Sequence, residues 1–134
     1  MGKINIEKVQ EAFNSAIRRR DGRCMVRDFE PCSGPLECSH YHSVGGSPAL
    51  RFYPPNAWTQ CQKHHWNHHN RNEPALVNTY LHWMMNYHYN DEQKMLELKS
   101  RYIKYTEELK AEIIRLCNSD RLDELKTLIE ENIK

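Results

Sequence analysis

The segment CQKHHWNHHN at residues 61–70 holds one cysteine, four histidines and two asparagines in ten residues. Histidine and asparagine are mediocre helix formers, so helix propensity does not explain such a run, whereas ligand chemistry does. Cys61 and His64 form a Cys-x-x-His pair at the start of an expected helix. That is half of the tetrahedral thiolate and imidazole set that structural zinc requires. The other half must come from Cys24, Cys32 and Cys38. Cys24 with Cys32 is preferred, although seven intervening residues make a wider loop than usual. Cys38 stands two residues before His40, so on a strand both share a face, and zinc binding by one would draw in the other. Otherwise Cys38 is a small buried apolar residue, as free cysteine commonly is. Cys117, on the apolar side of a late helix, is read in that way.

Zinc does not explain the remaining histidines. His65 and His69 are four residues apart and share a helical face about 100° from His64. A histidine pair at this spacing is a common way for a helix to hold a catalytic divalent metal. His68 is read as a solvent-exposed surface residue. A second cluster, CSHYHSVGG at 38–46, sets His40 on a short strand before a glycine loop. A neutral imidazole there can act as a general base on water. Asn56, in PPNAWTQC, can hold the loop and orient that base through its amide. After two prolines its plainer reading is a turn residue.

These side chains need elements to position them. Ile6, Val9, Phe13 and Ile17 recur at helical spacing within residues 4–20, and Asp21-Gly22 is a stop signal. Residues 23–60 are rich in Pro, Gly and Ser, with short β-prone pieces such as LRFY at 50–53, so a loop-rich hairpin is expected. Pro74 can open a helix through Leu76, Tyr80, Leu81, Met84 and Tyr87. Asp91 is expected to cap a further helix. Thr106 with Glu107 and Glu108 opens another, with Ile113, Ile114 and Leu116 on its buried side. Ser119-Asp120 restarts the chain into a final helix with Leu122, Leu125 and Ile129.

Composition sets the outer limits. Hydrophobic residues make up 39% and charged residues 28%, enough for a modest core that a metal cross-link would help to stabilise. A net charge of +1 excludes a global polycation. Charge is nevertheless local: Arg18, Arg19, Arg20, Arg23 and Arg27 crowd into ten residues, a patch that can meet phosphates. The five cysteines are an odd number, and the N-terminus lacks an apolar leader, which argues against a disulfide framework. No run approaches the roughly 18 apolar residues of a membrane span. The chain reads as soluble and cytoplasmic.

The order His40, Asn56, His65, with a Cys-x-x-His entering the helix, resembles the HNH or ββα-metal nucleases. More narrowly, SHYHSVGGSPALRFYPPNAWTQC at 39–61 resembles the NinG (Rap) family of phage recombination nucleases. That family has a Gly/Ser-His-Tyr/Phe strand, a Ser-x-Gly loop, an Ala-x-Arg-Phe strand and an Asn-containing loop before its cysteine-led helix. Arg27 stands in the place of a family cysteine, so Cys32 or Cys38 must substitute. His64 replaces the other zinc cysteine. Ser39 sits where many HNH nucleases carry a metal-binding Asp or His, and His42 or His69 would complete the shell.

The resemblance implies an α+β, mostly helical fold with a small zinc-stabilised ββα-metal (HNH) core at 23–72. An N-terminal helix and basic segment (1–22) and a C-terminal helical extension (73–134) would flank it. It implies metal-dependent hydrolysis of DNA phosphodiesters in branched recombination intermediates, such as D-loops or Holliday junctions. His40 would deprotonate water, with Asn56 and His65 as its catalytic companions. Cys24, Cys32, Cys61 and His64 would hold structural Zn²⁺, while His65 and His69 would hold catalytic Mg²⁺ or Mn²⁺. Arg18, Arg19, Arg20, Arg23 and Arg51 are candidates for backbone contacts, which position DNA without reading sequence. A two-fold homodimer would suit a junction. The rival expectations are an HNH endonuclease of homing or packaging type acting on duplex DNA, and a zinc-stabilised DNA- or protein-binding module without chemistry.

Overall fold

The computed structural model describes residues 2–26, 31–70, 78 and 89–134. Helix α1 (Ile6–Asp21) matches the expected N-terminal helix. The Asn5 side chain caps it by accepting the Glu7 N–H at 2.9 Å. Gly22 ends it in the left-handed region, φ 68°, where its N–H bonds the Arg18 carbonyl at 2.8 Å. Val9, Phe13, Ala16 and Ile17 form the buried face.

Strands β1 (Leu36–His40) and β2 (Ala57–Cys61) pair antiparallel, with Glu37 opposite Gln60, Cys38 opposite Thr59 and His40 opposite Ala57. The expected LRFY strand does not form. Short 3-10 helices span Pro48–Leu50 and Pro54–Asn56 instead. Prolines at 48, 54 and 55 supply no ladder N–H and fix φ, so this stretch cannot pair as a strand. Its apolar side chains Leu50, Phe52 and Tyr53 are fully buried and anchor the connection in the core.

Helix α2 (Gln62–Asn70) follows β2 directly, so the described order here is β–β–α. Apart from Asn78, the helix expected from Pro74 to Tyr87 lies outside the described residues, as does Arg27. Helix α3 (Tyr89–Leu98) contains Asp91 in its first turn rather than at its cap. Helix α4 (Glu107–Asn118) opens as expected on Thr106, whose hydroxyl accepts the Leu109 N–H at 3.1 Å. Ile113 and Leu116 are buried on it, while Ile114 is only partly covered. Asp120, at φ 56°, makes the turn into α5 (Leu122–Asn132), which buries Leu125 and Ile129.

The fold is thus α+β and mostly helical. Strand alternation sorts the sheet into two faces. Thr59 faces α1, its hydroxyl donating to the Ile17 carbonyl at 3.3 Å, and the His40 ring stacks on Phe13. Glu37 and Gln60 face α2, touching its histidines. One hydrophobic cluster runs from Phe13 and Ile17 through Leu50, Phe52 and Trp58 to Ile113 and Ile129. The N-terminal, central and C-terminal segments therefore share a core. No described helix is long and apolar enough to cross a membrane.

Candidate functional site

Cys24, Cys32, Cys61 and His64 each bring a ligand atom to within 4.8 Å of the others. His64 Nδ1 lies 3.3 Å from Cys24 Sγ and 4.0 Å from Cys32 Sγ. Tetrahedral zinc with ordinary bond lengths has ligand–ligand edges of roughly 3.5–3.8 Å, so this donor set fits zinc with little movement. Local backbone brings the four together. The turn after Gly22 lets the Met25 N–H bond the Thr59 carbonyl at 2.8 Å, which sets Cys24 beside the end of β2. The loop carrying Cys32 is pinned to the first turn of α2, with the Gln62 N–H on the Pro35 carbonyl at 2.8 Å and Lys63 N–H on Ser33 at 3.1 Å. Gly34 makes this approach possible. It sits at φ +85°, and a Cβ there would lie 2.6 Å from Gln62 Oε1.

Among the described residues the cluster contains Cys32, the expected partner of Cys24, and not Cys38. Burial pushes the Cys38 thiol up to about 12, as it does for Cys117, and both are core residues. Burial also raises Cys24 to about 12. Cys61 moves the other way. Burial opposes its charge, but the backbone groups of His64 and Ser33 and the thiols of Cys32 and Cys24 stabilise the thiolate. A thiolate at the start of a helix is also favoured by the helix dipole.

His40 ends β1 with its ring stacked on Phe13, centroids 5.9 Å apart, and Nε2 3.0 Å from the Arg51 carbonyl oxygen. A carbonyl only accepts, so Nε2 carries the proton and Nδ1 keeps the lone pair. Burial lowers the pKa of His40; the Arg51 carbonyl opposes this, and charge on Arg51, His65 and His69 lowers it further. The ring is therefore a neutral base at neutral pH. Asn56 is fully buried and clamps the backbone that follows His40. Its Oδ1 accepts the His42 N–H at 2.8 Å, and its Nδ2 donates to the carbonyls of His42 and Leu50 at 3.0 and 3.1 Å.

His65 and His69 share one side of α2, ring centroids 4.8 Å apart. Together with Glu37, Gln62, Trp66 and Asn70 they line a cavity of about 240 Å³. Two imidazoles beside an open cavity can hold a divalent ion. Sequence reasoning missed Glu37, whose Oε1 lies 2.9 Å from His65 Nδ1. The available signal was its odd-numbered offset from His40, which puts it on the opposite strand face. His68 is half-buried rather than solvent-exposed, because it tucks under α2 toward Gln60 and stacks on His69. Ser39 is fully buried, with an Oγ that has no hydrogen-bond partner among the described residues. The ring of His42 packs against Tyr41, and burial followed by the charge of Lys99 lowers its pKa.

The arginines are largely tied into the fold. Arg19 bonds Asp120 at 2.8 Å and the Cys117 carbonyl at 2.9 Å. Arg20 bonds Asp21 and the carbonyls of Pro54 and Ala57. Arg51 donates to Gln10 at 2.8 Å, and Arg18 to the Ser15 hydroxyl at 3.0 Å, while Arg23 is exposed.

No curated protein and no solved structure matches this chain. A family model described as bacteriophage lambda NinG protein matches residues 3–116. With α1, both strands, the whole zinc-type cluster and α2 inside that match, the chain belongs to the bacteriophage lambda NinG family.

Proposed function

We propose that the protein is a metal-dependent DNA endonuclease with a ββα-metal (HNH) core, acting on branched recombination intermediates in the cytoplasm of a phage-infected cell. Membership of the NinG family supports a role in phage recombination. The observation that carries the chemistry is the hydrogen bond from His40 Nε2–H to the Arg51 carbonyl. It leaves Nδ1 as the basic nitrogen of a ring that stays neutral at neutral pH.

In this reading His40 Nδ1 takes the proton of the attacking water. Asn56 keeps the end of β1 in place by holding the backbone at His42. His65 and His69 would hold Mg²⁺ or Mn²⁺, and such an ion would supply neutralisation of the charge that develops on the phosphate and the leaving 3′ oxygen. Cys24, Cys32, Cys61 and His64 hold structural Zn²⁺ and so fix the first turn of α2 against the sheet. Arg18 and Arg23 supply phosphate contacts, and the contacts that Arg19, Arg20 and Arg51 make within the fold leave them a smaller share. A two-fold dimer would match a junction, and light scattering of the purified chain reading a monomer in the presence and absence of junction DNA would exclude it.

His40→Ala, at unchanged zinc content, is expected to lower nicking of branched DNA about 100-fold or more, the usual scale of general-base catalysis. A variant that cuts as well as the parent removes this assignment. Equal cutting of junction and plain duplex would favour the homing or packaging type of HNH enzyme. The buried Ser39, at a position where many such enzymes carry a metal ligand, favours a second reading as a non-catalytic zinc-stabilised binding module. That reading predicts tight DNA binding with no cleavage under any divalent ion.

A further inference from the structure

Glu37 and Ser39 lie on the face of β1 that looks toward α2, three and one residues before His40. Glu37 Oε1 is 2.9 Å from His65 Nδ1, with the two side chains 38% and 25% exposed. A carboxylate accepts, so the shared proton belongs to Nδ1 and the lone pair of His65 is on Nε2. The partner at one ring nitrogen decides which other nitrogen is left to bind. Metal-binding histidines are commonly oriented in this way by an outer carboxylate, which also makes the ligating nitrogen more basic.

We propose that Glu37 is the positioning residue of the divalent-ion centre, holding His65 in the Nδ1–H form so that Nε2 meets the ion beside His69. The proposal rests on the reading of His65 and His69 as ion ligands. It makes the two histidines opposite in design. At His40 the Arg51 carbonyl fixes the proton on Nε2 and frees Nδ1, whereas at His65 Glu37 fixes it on Nδ1 and frees Nε2. The cavity of about 240 Å³ lined by Glu37, His65 and His69 has room for a hydrated cation.

The test uses the full zinc-loaded chain, labelled with ¹⁵N, without a second metal, at a pH where the rings are neutral. Long-range ¹H–¹⁵N spectra are expected to show His65 protonated at Nδ1 in the parent and in Glu37→Gln, whose amide oxygen still accepts. In Glu37→Ala the two tautomers should mix. Calorimetric titration with Mn²⁺ is then expected to show affinity about 10- to 100-fold weaker in Glu37→Ala, with most of it recovered in Glu37→Gln. Protonation at Nε2 in the parent overturns the proposal. So does weaker Mn²⁺ binding in Glu37→Ala with an unchanged tautomer, which would make Glu37 a direct ligand. If His65→Ala weakens Mn²⁺ binding and Glu37→Ala does not, positioning by Glu37 is wrong and the ion centre stands. If His65→Ala binds Mn²⁺ like the parent, the ion centre itself is wrong.

Discussion

Cys32 and Cys38 carry the same thiol, and the difference between them lies in which partners the backbone puts within reach. Cys32 arrives on a loop pinned to α2, 4.0 Å from His64 Nδ1, while Cys38 is buried toward α1. Metal analysis of purified variants should read about one zinc per chain for the parent and for Cys38→Ala, and markedly less for Cys32→Ala. Retention of zinc by Cys32→Ala would remove it from the ligand set. His68 gives a second prediction at this scale. Burial, then the charges of His69 and His65, lower its pKa to about 4. An unfolded histidine takes its proton near pH 6.5, so below that value the unfolded chain binds a proton that the fold refuses. The stability contributed by neutral His68 is present above the ordinary value and is lost as pH falls toward about 4. His68→Gln should therefore flatten the pH dependence of urea unfolding across that window at saturating zinc. Identical slopes would show that the ring titrates alike in both states.

At the level of elements, turn chemistry decides more than apolar content does. The segment LRFY has strand-like composition, but the prolines on both sides form 3-10 helices that flank it, and pairing falls to 36–40 and 57–61. The loop before β1 depends on Gly34. Gly34→Ala forces an L-residue to φ +85° against Gln62, and the left-handed conformation alone costs about 1–2 kcal/mol. Because that loop delivers Cys32, faster zinc loss to a chelator should accompany the lower stability. A Gly34→Ala variant with parental zinc kinetics would disconnect the loop from the cluster. Thr106→Ala removes only the cap of α4 and should cost about 1 kcal/mol in chemical denaturation, with zinc content unchanged. The helix boundaries at Gly22 and Thr106 were legible in the sequence, because a cap acts on neighbours a few residues away, whereas the Asn5 cap of α1 was not read from it.

Across the whole molecule, α1, the sheet and the C-terminal helices bury one continuous cluster. Tyr53 Oη donates to Glu130 at 2.7 Å and Tyr105 Oη to the Pro48 carbonyl at 2.7 Å, so the C-terminal segment holds the same loop that Asn56 clamps. Ile113 is fully buried in that cluster, and Ile113→Ala should cost about 2–5 kcal/mol. Since the core is shared, the loss should appear as one transition whether followed by far-ultraviolet dichroism or by zinc release. Two separated transitions would mean that α4 and the metal cluster fold independently.

What the sequence determined alone was its donor side chains and its local punctuation. The Cys61–His64 pair, the His65–His69 spacing, the stop at Gly22 and the start at Thr106 all follow from interactions spanning a handful of residues. Tertiary structure alone brought the preferred Cys32 from its loop to the Cys61–His64 pair, tied Arg19 and Arg20 into the fold, and set Glu37 against His65. Those outcomes depend on which faces meet across the sheet and across turns, and a linear pattern of residue types does not encode that distance.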